Sequence, residues 1–98
     1  MALALRFGLR AERDLRGAVL WYKLQQEGLD QRFISALDAC LEVVRQFPQG
    51  APLVSGDIRQ LPVPGFPYVI VFAARKRTIT VIRVFHTAQH PRKRLRDR

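Results

Sequence analysis

The stretch Arg59-Gln60-Leu61-Pro62-Val63-Pro64-Gly65-Phe66-Pro67-Tyr68-Val69-Ile70-Val71-Phe72-Ala73-Ala74-Arg75-Lys76-Arg77-Thr78-Ile79-Thr80-Val81-Ile82-Arg83-Val84-Phe85-His86 decides the fold, and its polar margin runs on to Pro91. Tyr68–Ala74 is almost wholly apolar, as a central strand covered on both faces should be. Thr78–Phe85 is a second β-branched run. The short charged turn Arg75-Lys76-Arg77 between them predicts a hairpin. Ile58–Val63 reads as a third, shorter strand at the sheet edge, because Pro62 removes a ladder donor. Pro64 and Gly65 break the chain before Phe66-Pro67-Tyr68.

Working outward, Leu3, Leu5 and Phe7 alternate with Ala4 and Arg6, which suits a half-buried strand over Ala2–Phe7. Gly8 ends it and opens a helix from Leu9 to about Gln26, with Ala11, Leu15, Ala18, Val19 and Tyr22 on one stripe. Glu12 and Asp14 lie near its start, where the helix dipole favours acids. Gly28 is placed to terminate this helix. A second helix, about Leu29–Gln46, carries the stripe Phe33, Leu37, Cys40, Leu41 and Val44, and Pro48 and Gly50 stop it. Phe47–Asp57 reads as a loop. The order β-α-α-β-β-β predicts an α+β fold, a helical hairpin on one face of a mostly antiparallel sheet, with the other face partly open. Residues 1–91 make one domain, and 92–98 a basic C-terminal tail.

The 98 residues carry 17 Lys+Arg against 8 Asp+Glu, a net charge of +9. Such a surface favours an anionic partner: nucleic acid, a membrane surface or an acidic protein. The single cysteine, Cys40, excludes an internal disulfide, and its place on an apolar stripe suits a buried structural thiol. No apolar run is long enough to span a bilayer, and the start lacks a signal-peptide pattern, so the expected compartment is the cytoplasm.

No phosphate-cradling glycine loop and no zinc-spaced cluster is present. His86 and His90 are the only histidines, and two imidazoles alone rarely hold a metal, so no metal and no cofactor is expected. His86, at a strand end, suits either general acid–base work or a plain structural hydrogen bond. Arg59 and Arg83 lie within strands. On the open face they would form a basic floor with Tyr68, able to bind phosphate or an acidic peptide; the other arrangement is ion pairing to helix acids. Trp21 and Tyr22 are sequence neighbours and cannot share one helix face, so one enters the core and the other is an exposed interface anchor. The tail arginines attract polyanions without demanding geometry.

Several segments together resemble the toxins of bacterial type II toxin–antitoxin systems, the RelE/ParE superfamily. They are Ala11-Glu12-Arg13-Asp14-Leu15, Trp21-Tyr22, Arg32-Phe33, Phe47-Pro48, Ile58-Arg59, Phe66-Pro67-Tyr68-Val69-Ile70 and Val84-Phe85-His86 before Pro91. The resemblance covers nearly the whole chain. It implies a growth-inhibiting toxin silenced by a small acidic antitoxin encoded adjacently. RelE-like members cleave messenger RNA on the ribosome, whereas ParE-like members are associated with inhibition of DNA gyrase. Tyr68 stands where the nucleases tend to carry arginine, and Ala88 and Gln89 are uncharged where an arginine is frequent. The chain is therefore closer to ParE-like and plasmid-stabilisation members, acting by binding a target such as gyrase. A ribosome-dependent endoribonuclease is the alternative, with Arg59, Tyr68, Arg83 and His86 as catalytic candidates. A non-toxic nucleic-acid-binding module is the third reading. The expected target surface is Arg59, Arg83, His86, Gln89, Arg92 and Arg94; the expected antitoxin surface is Trp21, Tyr22, Arg59 and Arg83.

Overall fold

The computed structural model describes residues 3–88. Two helices pack on a five-stranded sheet. The chain order is β1 (Ala4–Phe7), α1 (Leu9–Gln25), α2 (Leu29–Gln46), β2 (Leu53–Ser55), β3 (Ile58–Pro62), β4 (Tyr68–Arg75) and β5 (Thr78–His86). The spatial order is β1-β5-β4-β3-β2. β1 runs parallel to β5, and every other pairing is antiparallel. The expected α+β arrangement is the one observed, with one strand added: β2 forms inside the segment read as loop. Three residues are too few to leave a period-2 signal, and β2 exists because β3 offers it an edge. β3 is therefore flanked over Ile58 and Arg59, while Pro62 lies at its end, where no outer partner needs its missing donor.

The helix stripes meet the sheet as their periodicity requires. Ala11, Ala18 and Tyr22 from α1 are buried, and so are Phe33, Leu37, Cys40, Leu41 and Val44 from α2. They pack with Ile70 and Phe72 of β4 and Ile79, Val81 and Val84 of β5 in one core. Gly28 works differently from expectation. α1 is closed by Gln26, whose amide donates to the Tyr22 carbonyl, and Gly28 is the N-cap of α2 with φ 84. A side chain there would meet the steric penalty of the left-handed region, which fixes a glycine at this corner of the helical hairpin.

The face away from the helices is not bare. Ile58, Val69, Val71 and Phe85 form a second buried cluster, with Ile82 beside it. β4 is thus apolar on both faces, which explains its unbroken hydrophobic run. A β-bulge in β5 sets which side chains reach which face. Val71 lies opposite Arg83, but the next residue, Phe72, lies opposite Val81, so Ile82 is the extra residue. The alternation slips there: Ile79, Val81 and Val84 face the helices, while Arg83 aligns with Val71 on the other side.

Candidate functional site: an aromatic groove between α1 and the β4–β5 end

The strand arginines are not a shared floor. Arg59 lies opposite Phe72, on the helix-covered side, and its Nη1 donates to the carbonyls of Gln49 (3.2 Å) and Ala51 (2.6 Å). It ties the α2–β2 loop to β3. Arg83 lies on the other side, its guanidinium carbon 4.1 Å from the Phe85 ring centroid. Its Nε and Nη2 donate to the two carboxylate oxygens of Asp14, at 2.7 and 3.0 Å. The same carboxylate accepts the Val84 amide at 2.9 Å. This contact is available because β1 pairs with β5 only as far as Val81, so α1 lies along the remaining edge. Ion pairing to a helix acid, one of the two arrangements open for Arg83, is the one adopted. Asp14 is accordingly no mere dipole acid on a solvated helix face.

Tyr68 is also on the helix side. Its ring lies 5.1 Å from Phe33 and 6.0 Å from Tyr22, and 5.3 Å from the imidazole of His86, which is its register partner across the hairpin. Tyr22 is the aromatic that enters the core, touching Phe33 and Phe66, and Trp21 is the exposed one at 55%. Trp21, Tyr22, Tyr68 and His86, with Gly17 and Pro67, line an apolar groove of about 620 Å³. Sequence neighbours thus divide two tasks: Tyr22 builds the groove floor and Trp21 its outer wall.

The polar chemistry of the groove is narrow. Burial pushes the Tyr68 phenol up, with the nearby Tyr22 and Asp14 adding to the effect, and burial does the same to Tyr22. Both stay protonated at neutral pH as hydroxyl donors. His86 Nδ1 accepts the Ala88 amide at 3.1 Å. An amide can only donate, so Nδ1 carries no proton and the neutral ring holds its proton on Nε2. The groove therefore presents aromatic faces and an imidazole N–H donor. Among the described residues no group of three or more His, Cys, Asp or Glu is placed to hold a metal ion, and no helix is long and apolar enough to cross a membrane. Gln89, Arg92 and Arg94, named as target contacts, lie outside the described residues, as does the tail.

The family model for the ParE toxin of type II toxin–antitoxin systems, parDE, matches residues 5–91. The chain belongs to the ParE toxin family. It is the toxin component of a type II system, and an antitoxin is its partner. Among solved structures it is similar to a chain of the chromosomal ParDE TA system from P. aeruginosa, with 19% identity, 87% of this chain and 96% of that one covered, and a TM-score of 0.72. That likeness is one of fold. None of the curated proteins matches this chain. The ParE assignment agrees with the Phe66-Pro67-Tyr68 segment, where Pro67 and Tyr68 line the groove.

Gly17 and Asp14 were not singled out as site residues from sequence. Gly17 did leave a signal: a glycine in the middle of a helical pattern costs about 1 kcal/mol relative to alanine and asks for a reason. Asp14 left none, because an acid near the start of a helix is ordinary and its partner is 69 positions away.

Proposed function

We propose that this ParE-family toxin inhibits growth in the cytoplasm by binding DNA gyrase, without cutting RNA, and that a small acidic antitoxin encoded beside it neutralises it. The observation that carries the choice between binding and cleavage is the engagement of both strand arginines. Phosphodiester cleavage needs cations aimed at the phosphate that gains charge in the transition state. Arg59 is held through Nη1 by two loop carbonyls and Arg83 by a two-pronged bond to Asp14, so both guanidinium groups are engaged within the fold and neither is aimed as a whole at a phosphate. His86 and Tyr68 point the same way: the unprotonated imidazole nitrogen is already used by Ala88, and a phenol shifted upward is a poor base at neutral pH. Binding needs none of these to be freed. The +9 charge suits both an acidic antitoxin and a target that itself handles DNA.

Two assays separate the readings. Purified toxin added to gyrase should reduce DNA supercoiling, and antitoxin added first should restore it. In a translating extract the messenger should stay full length. Unchanged supercoiling at high molar excess, or messenger cut in a translation-dependent way, would overturn the proposal.

A further inference from the structure

We infer that the β1 edge of the sheet, with the first turns of α1, is a docking stripe for the phosphate backbone of duplex DNA. The inference goes beyond the gyrase reading and does not depend on it. β1 is the outermost strand on its side, and the β4–β5 turn lies against its start, where the Ala4 amide donates to the Arg77 carbonyl at 3.1 Å. Lys76 and Arg77 of that turn are thereby carried to the strand that bears Arg6. On the α1 side of the strand, Arg6 and Arg16 line one hollow of about 440 Å³ with Leu5, Phe7, Glu12 and Leu15. Arg13 stands three residues before Arg16, its neighbour on the α1 surface. Arg6, Arg13, Arg16, Lys76 and Arg77 are all exposed. Among the described residues none of these five side chains has an ion pair or a hydrogen bond, whereas Arg45, Arg59, Arg75 and Arg83 are each held by a partner.

The surroundings select the occupant. Glu12 is the single acid lining the hollow, against two guanidinium groups, and Asp14 is engaged by Arg83. The other acids of the described chain are Glu27 at the helical corner, Asp30, Asp38 and Glu42 on α2, and Asp57, which is bonded to Arg75. β1 gives the stripe a length of roughly 13 Å, over which one strand of a duplex presents about four phosphates. Guanidinium groups match phosphate oxygens, and such contacts need cations at intervals rather than an apolar centre. A protein partner draws on that apolar centre. Here only Leu9 stands at the margin of the stripe, while Leu20, Trp21 and Leu24 lie on the second half of α1 and Phe47 and Leu53 lie beyond α2. Single-stranded nucleic acid draws on exposed aromatic faces for stacking, and the stripe offers none: Phe7 is half-buried, and Trp21 belongs to the aromatic groove. The surface that remains is suited to a sequence-independent grip on the backbone of a duplex.

The test measures binding of the whole toxin to a short labelled DNA duplex by fluorescence anisotropy, from about 50 to 200 mM salt, alongside the melting temperature of each protein. Arg6→Gln/Arg16→Gln should weaken binding roughly tenfold at low salt and flatten the slope of log affinity against log salt by about 2, close to one unit for each lost phosphate contact. Lys76→Asn/Arg77→Gly should do the same while melting no lower than wild type, because its residues suit the left-handed backbone of that turn. Lys23→Gln/Arg32→Gln, which removes two exposed charges elsewhere on the helices, should change the slope by less than half as much. The full loss should persist in an Arg92→Gln/Arg94→Gln background, which separates the stripe from the tail. A stripe loss no larger than that of the helix control, or one that vanishes in the tail-neutralised background, would refute the stripe. Tighter binding of a single-stranded RNA or of polyglutamate than of the duplex would refute DNA as its occupant. None of these readouts involves supercoiling, so failure of the gyrase reading and failure of the stripe are told apart.

Discussion

Removing Asp14 tests how α1 is fastened to the sheet. Its carboxylate holds three donors: Arg83 Nε at 2.7 Å, Arg83 Nη2 at 3.0 Å and the Val84 amide at 2.9 Å. The paired side chains are only 10% and 16% exposed. Asp14→Ala therefore leaves a guanidinium without its countercharge in a poorly hydrated place, and breaking one partner of such a pair costs about 3–5 kcal/mol. A domain of this size has a total stability of about 5–15 kcal/mol, so the variant keeps only part of its margin. At about 4–8 °C per kcal/mol, its melting temperature should fall by roughly 12–40 °C. Asp14→Asn keeps an acceptor for Val84 and loses the charge, and should fall between. The double variant Asp14→Leu/Arg83→Met removes both charges and should recover most of the loss. It should remain about 1–3 kcal/mol below wild type, because the Val84 amide still lacks an acceptor. Thermal and urea unfolding of the four proteins measure these losses, and the single variants Asp14→Leu and Arg83→Met close the double-mutant cycle. A loss under about 1 kcal/mol for Asp14→Ala, or no recovery in the double variant, would refute the claim that this carboxylate is a buried fastening.

Three further outcomes are expected. Lys76 and Arg77 form the β4–β5 turn at φ 51 and 64, so Lys76→Asn/Arg77→Gly should stabilise the protein by about 1 kcal/mol in urea unfolding, since those residues suit the left-handed positions of a two-residue hairpin turn. Burial pushes the Cys40 thiol up to about 11 from 9.0. The unfolded chain then releases that proton first as pH rises, so stability owed to Cys40 is complete below about pH 9 and is lost as pH climbs through 11. Cys40→Ala should lack that part of the decline in a stability profile from pH 7 to 11, while the raised Tyr22 and Tyr68 act equally in both proteins. Arg59→Ala should cost about 1–3 kcal/mol in thermal unfolding by freeing the Gln49 and Ala51 carbonyls, and wild-type potency of the refolded variant against gyrase would remove Arg59 from the target surface.

Both helices and the three long strands were legible because each has its own period or composition. The five-residue stripe of α2 is buried in full, and the β4 run is apolar because two clusters use it. Two features left no such trace. β2 is made by its neighbour, and the alternation of Ile79, Val81 and Arg83 reads as one face until the bulge at Ile82 moves Arg83 to the other. A period-2 reading cannot locate an inserted residue, so the shared floor of Arg59, Arg83 and Tyr68 was a reasonable arrangement that the bulge dissolves.

The candidate site shows the same division between local and distant causes. Trp21 and Tyr22 could be assigned to different faces from helical spacing alone, and the structure puts Tyr22 inside and Trp21 outside. What spacing cannot show is that Pro67, Tyr68 and His86 arrive opposite Gly17 from the other end of the chain. The fold makes that meeting by ending β1 at Phe7, which leaves the last half of β5 for α1 to cover. Asp14 then accepts from the Val84 amide, which has no β1 partner, and pairs with Arg83. The fastening and the groove are thus consequences of one short strand. A longer β1 would pair with Val84, exclude Asp14 and displace α1 from the wall that Trp21 forms. Arg59 and Arg83, first read as part of a working surface, are engaged in holding this geometry, and the groove beside them is lined by aromatic side chains.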